Sequence, residues 1–233
     1  MFQTNPFSLI VLLVGLSLLP FVAMVATSYL KIVVVMSLIR NALGIQSIPP
    51  NMVVNALAMI LTFYIIAPVA SESWGILQTE LAAHRKTVPA AAQSSAPASA
   101  NGQWFETDAI AKAAEPFRAW LSAHTADRER AFFVNTAETL WGKDGEPAVV
   151  DPESYYILLP AFCVSELTKA FQIGFLVYLP FIAIDIIVSN ILLAMGMMMV
   201  SPVTISLPFK LLLFVMVNGW TLLIQGLVRG YMQ

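Results

Sequence analysis

Glu166, Lys169, Asp185 and Lys210 are ionisable residues in an otherwise apolar stretch from Tyr156 to Val228, which breaks at Gly196-Met197-Met198-Met199-Val200-Ser201-Pro202. A charge at membrane depth is costly and normally faces a partner helix or a wet cavity. Ion pairing, proton relay and lining of a conducting path are therefore the chemistries open to these four. Methionine is unbranched, flexible and polarizable, so Met197, Met198 and Met199 beside Gly196 suit a soft constriction. A narrow apolar collar of this kind closes by dewetting. The bland alternative is a loop buried in helix packing.

Glu166 and Lys210 fall in separate apolar helices, where either one unpaired is unfavourable by several kcal/mol. Pairing between them, within one subunit or across a subunit interface, is one solution. The other is local: Glu166 and Lys169 have the i, i+3 spacing that brings side chains together on a helix, and long side chains also snorkel to water. Asp185, within Phe181-Ile182-Ala183-Ile184-Asp185-Ile186-Ile187, has the setting of a proton-relay carboxylate, but it can equally accept hydrogen bonds from Ser189 or another helix.

Other chemistries lack their residues. No Ser/His pairing, paired aspartates or metal motif marks a catalytic centre. His84 and His124 are far apart with no ligands at metal spacing, so neither a metal nor a cofactor is expected. Cys163 is a lone cysteine in an apolar helical run, which reads as a small buried hydrophobe.

These residues belong to a chain of 233 residues that is 58% hydrophobic and only 11% charged. That composition is an integral membrane protein's. Charge is segregated: residues 1–69 carry only Lys31 and Arg40, whereas residues 70–153 carry twelve acids and seven bases. The acidic balance of this middle segment argues against nucleic-acid binding.

The expected architecture is all-α, with two long hydrophobic helical hairpins, residues 1–69 and 154–233, flanking a partly helical extramembrane insert, residues 70–153. Phe7 to Leu30 has membrane-spanning length with a kink at Pro20. Lys31 starts an amphipathic continuation that ends at Gly44, a residue suited to a left-handed cap. Asn51 caps a helix running to about Val69. Residues 84–103, rich in Ala, Ser and Pro, read as a flexible loop. Pro116 opens a short helix, and another covers Asp127 to Trp141. Ile157 to Val200 is about 65 Å if helical, twice a bilayer core; Pro180 and Gly196 are its break points. A last helix covers Thr204 to Val228. Lys31 and Arg40 place the connection between the first two spans in the cytoplasm and the insert outside.

Four blocks together carry a resemblance. Ser37-Leu38-Ile39-Arg40-Asn41-Ala42-Leu43-Gly44 with Pro49-Pro50-Asn51, then Leu159-Pro160-Ala161-Phe162-Cys163-Val164-Ser165-Glu166-Leu167 with Phe171-Gln172-Ile173-Gly174-Phe175, then Ala194 to Pro202, and finally Leu207-Pro208-Phe209-Lys210-Leu211 with Asn218-Gly219-Trp220 closely resemble the FliP/SctR family of the type III secretion export apparatus. Glu115-Pro116-Phe117-Arg118 in the insert is similar as well. Flagellar members generally begin with a cleavable signal sequence; the start of this sequence shows no basic n-region or cleavage site, which favours the injectisome SctR type.

The resemblance implies a non-catalytic subunit of a cone-shaped export gate in the bacterial inner membrane, with the insert periplasmic. Several copies, pentamer-like, would assemble with SctS/FliQ-type and SctT/FliR-type subunits around one axial pore for unfolded substrate proteins. SctU- and SctV-type components and the inner rod and needle proteins would be neighbours. Gly196, Met197, Met198 and Met199 then line the gate, and Glu166, Lys169, Asp185 and Lys210 set assembly. A proton-coupled secondary transporter or channel using Asp185, Glu166 and Lys210 is the competing reading; the low helix count and absence of an internal repeat stand against it.

Overall fold

A computed structural model describes residues 6–45, 49–87, 101–142 and 148–232. Every regular element among them is an α-helix: α1 (Pro6–Val25), α2 (Tyr29–Ala42), α3 (Asn51–Thr87), α4 (Asn101–His124), α5 (Asp127–Trp141), α6 (Tyr155–Ala194), α7 (Pro202–Met216) and α8 (Gly219–Arg229). The chain is an all-α membrane protein with bent helices. Asn51–Ala83 and Tyr155–Ala194 are each long and apolar enough to cross a membrane, and the bent pairs α1/α2 and α7/α8 raise the number to four if each pair is one span.

Several boundaries differ from expectation. The first apolar run does not break at Pro20, which stays inside α1; it bends by 55° at Ala26–Ser28. There Thr27 Oγ1 donates to the Ala23 carbonyl at 2.7 Å and accepts from the Tyr29 N–H at 3.4 Å, diverting the helical backbone pattern through a side chain. Gly44 has the left-handed φ of 76° expected of it. The second helix continues past Val69 to Thr87, carrying Pro68 in its interior. α4 begins at Asn101 and contains Pro116 rather than starting there. The expected loop at 84–103 is thus helical at both edges, and its centre, 88–100, lies outside the described residues. Pro180 does not break α6, which runs 40 residues, about 60 Å. The last helix is instead broken before Asn218, with a 59° bend between α7 and α8; Asn218 holds φ 52°, a conformation asparagine tolerates better than most residues.

The chain divides into two compact units. The first comprises residues 1–65 and 163–233. Its core is centred on α2, whose Ile32, Val35, Met36 and Ile39 are buried against Val54 and Ala58 of α3, Ala170 and Phe181 of α6, Phe214 of α7, and Leu223 and Leu227 of α8. This core uses little of the apolar surface available. Only 11% of the most apolar window of α6 and 22% of that of α3 are buried within the chain, so most of their hydrophobic surface is left for lipid or other subunits.

The second unit, residues 66–162, is held by Trp120, Leu121, Ala137, Ile157, Leu158 and Phe162, all buried. The Trp120 and Phe162 rings lie 5.4 Å apart. Polar groups clamp its periphery: Glu153 accepts from Arg130 and from Ser122, each at 3.0 Å, and the Arg130 guanidinium donates to the Ser122 carbonyl at 2.6 Å. Tyr155 donates to the Ala114 carbonyl at 2.8 Å.

Candidate functional site

The break between α6 and α7 is an ordered helix end. The Met197 N–H donates to the Leu192 carbonyl at 2.9 Å and the Gly196 N–H to the Leu193 carbonyl at 3.0 Å, the paired bonds of a Schellman cap. Gly196 occupies its left-handed position with φ 72°, which other residues adopt only with strain. Two further bonds, Met198 N–H to Gly196 carbonyl and Val200 N–H to Met197 carbonyl, continue the turn. Pro202 then opens α7, where its missing N–H costs nothing.

The methionines of this turn project away from their own chain. Met198 is 82% and Met199 fully exposed, with Met195 and Met197 also exposed. A row of exposed apolar side chains on a capped, defined turn is left for lipid or other protein to cover.

Beneath the turn, Asp185 and Lys210 join α6 to α7. Lys210 Nζ donates to Asp185 Oδ2 at 2.6 Å and to the Ala42 carbonyl at 3.2 Å, and Ser206 Oγ donates to Asp185 Oδ1 at 2.6 Å. Lys210 is almost wholly buried, whereas Asp185 is one-third exposed. The Ala42 carbonyl is among the unsatisfied last acceptors of α2, so the ammonium also serves as a cation at a helix C-terminus. Asp185 thus finds its partners on α7 rather than at Ser189.

A second ionic cluster surrounds Glu166, which is fully buried. Lys31 of α2 lies 3.2 Å from one carboxylate oxygen and Lys169 lies 3.1 Å from the other. Tyr231, just beyond α8, donates its hydroxyl hydrogen to Glu166. The Lys31 ammonium sits 3.6 Å from the centroid of the Tyr231 ring, within cation–π range. Within the chain, therefore, Glu166 does not pair with Lys210. About 28 Å of helix α6 separates Glu166 from Asp185, and each has a nearer cation. The local Glu166–Lys169 contact does form.

Lys31, Ser206 and Tyr231 are partners that sequence reasoning left out. Two of them carry a readable signal. Lys31 lies on the i, i+4, i+8 stripe with buried Val35 and Ile39, and a lysine on an apolar stripe either snorkels to water or takes an acidic partner. Ser206 precedes Lys210 by four residues, on one face of α7. Tyr231 has no such local signal. Among the described residues, no group of three or more metal-ligating side chains occurs.

Bent apolar helices with little internal burial, interior ion pairs and an exposed apolar turn define an all-α membrane protein whose surface lipid or other protein must cover. Residues 12–227 match the FliP family, and the chain belongs to that family. It is similar to Yop proteins translocation protein R of Yersinia pestis, with 49% identity covering 96% of this chain and 95% of that protein. It is also similar to hypersensitivity response secretion protein HrcR of Ralstonia nicotianae, with 46% identity covering 96% of each. Identity with flagellar biosynthetic protein FliP of Agrobacterium fabrum is lower, 38%, covering 94% of this chain and 81% of that protein.

Proposed function

We propose that this protein is a gating subunit of the export gate of a type III secretion system, of the injectisome branch, through which unfolded substrate proteins cross the inner membrane. The observation that carries this reading is the Gly196–Met199 turn, exposed on its own chain and fixed by a Schellman cap, in a member of the FliP family. The greater identity to injectisome translocation proteins than to flagellar FliP supports the branch.

In this reading several copies bring Met197, Met198 and Met199 together around one axis. The collar so formed excludes water and ions when empty and deforms around cargo of any sequence, because thioether side chains repack at little cost. The Asp185–Lys210–Ser206 cluster fixes the angle between α6 and α7 and so aims the turn. The subunit provides an opening and a seal rather than bond chemistry.

The low internal burial of α3 and α6 supports obligate assembly, with SctS/FliQ-type and SctT/FliR-type subunits completing the pore and SctU- and SctV-type components and rod and needle proteins adjoining it. Residues 70–153 form the periplasmic insert between the membrane segments. The test is native mass in mild detergent, with and without the two small membrane partners. A discrete homo-oligomer that takes them up in fixed ratio is expected; a monomer or dimer indifferent to them overturns the reading.

A further inference from the structure

Arg40 differs from the lysines of α2, α6 and α7. Lys31, Lys169 and Lys210 each contact a carboxylate. Arg40, half-buried near the end of α2, has only neutral acceptors among the described residues: its guanidinium donates to the Pro49 carbonyl at 3.3 Å and to the Asn51 side-chain oxygen. Its Nε is buried without a partner among the described residues. A half-buried cation whose described partners are all neutral is less favourable than one with a counter-charge, and here a cavity lies beside it.

That cavity, about 400 Å3, is lined by Arg40, Pro49, Phe214, Asn218, Trp220 and Thr221 among others. The first residues of α8, Gly219, Trp220 and Thr221, are among its lining, and the Asn218 side chain makes no capping bond there, so the positive end of a helix lies near the guanidinium. The volume suits a phosphate with a small head group but not acyl chains. Those have a separate place: Leu212, Val215 and Met216 on the adjoining part of α7 are exposed apolar side chains. Trp220 is the residue type enriched where membrane and water meet.

We infer that this cavity binds the phosphate of one anionic phospholipid, with Arg40 as its counter-ion and the exposed face of α7 as the track for its acyl chains. Basic pockets between membrane helices bind anionic lipid heads by the same physics. A carboxylate from a neighbouring subunit is the other source of a counter-charge; the exposed apolar face of α7 beside an interfacial-type tryptophan favours lipid.

The full chain in mild detergent is mixed with phosphatidylglycerol, with phosphatidylcholine, or with inorganic phosphate, and retained ligand is read by native mass spectrometry. Preferential retention of phosphatidylglycerol is expected, falling about tenfold in Arg40→Gln and unchanged in Arg229→Gln, an exposed cation control. Because Arg40→Gln also removes the links to Pro49 and Asn51, Asn218→Asp serves as a second variant. It keeps those links, tolerates the left-handed backbone and places a carboxylate at the cavity, so it too should expel the lipid. Equal retention by both variants and the parent overturns the inference. So does competition by inorganic phosphate at equal concentration, which would make the site one for free anions. Loss of subunit assembly in both variants with lipid retention unchanged would assign Arg40 to a protein carboxylate instead.

Discussion

The Tyr231 hydroxyl donates to Glu166, a residue 65 positions earlier and fully buried. With Lys31 over its ring, Tyr231 ties the chain beyond α8 to both α2 and α6.

Tyr231→Phe keeps the aromatic face under Lys31 and removes only the hydroxyl donor. One acceptor position of a buried carboxylate is then left open, a loss of about 1–3 kcal/mol. Thermal unfolding of the purified chain in detergent should show a lower midpoint than the parent, and an unchanged midpoint would mean that the bond contributes nothing.

Charge reversal separates the two possible partners of Glu166. Lys31→Glu with Glu166→Lys should recover part of the stability and assembly lost in Glu166→Lys alone, the remainder being lost because Lys169 then faces a like charge, whereas Lys210→Glu with Glu166→Lys should be worse than both singles. Rescue by the second pair would place the functional contact between subunits rather than within the chain.

Removing the Lys210 ammonium by Lys210→Met leaves Asp185 with Ser206 alone. Breaking a buried pair on one side costs about 3–5 kcal/mol, and the partial exposure of Asp185 puts this case at the low end. Lys210→Met with Asp185→Leu, which removes both charges, should be closer to the parent in stability yet change the secretion rate, because the α6–α7 angle is then held by packing only. Assembly yield and secretion measured side by side distinguish stability from aim.

Gly196→Ala should raise the cost of the left-handed turn by about 1–2 kcal/mol without a tertiary clash, since no atom beyond the adjacent residues lies within 4 Å of the added methyl position. Substituting Met198 and Met199 by Ala should leave folding unchanged, as both are exposed, while increasing ion leak through the assembled complex in a planar bilayer. A tight seal after that substitution would remove the methionines from the gate.

Membrane class, helical content and the sequence blocks near Glu166, Gly196 and Lys210 were legible because composition and local motifs carry them. Helix boundaries were less so. Pro20 and Pro180 read as kink or break points and Pro116 as a helix start, yet each remains inside a helix, because losing one backbone bond bends a helix without having to end it. The break expected at Gly196 does occur, but two others fall at Ala26–Ser28 and Val217–Asn218, where a threonine side chain and a left-handed asparagine act. Pair identity was the least legible part. Glu166 with Lys31 and Asp185 with Lys210 depend on which helices adjoin, and spacing along one chain shows only the local Glu166–Lys169 contact.

The small share of α6 that its own chain covers has a consequence for the life of the protein in the cell. A copy released without neighbours presents long greasy surfaces to chaperones and membrane proteases, which remove species that stay open. Its steady-state abundance should therefore follow the supply of its neighbours rather than its own rate of synthesis, and a surplus of this one subunit should be short-lived.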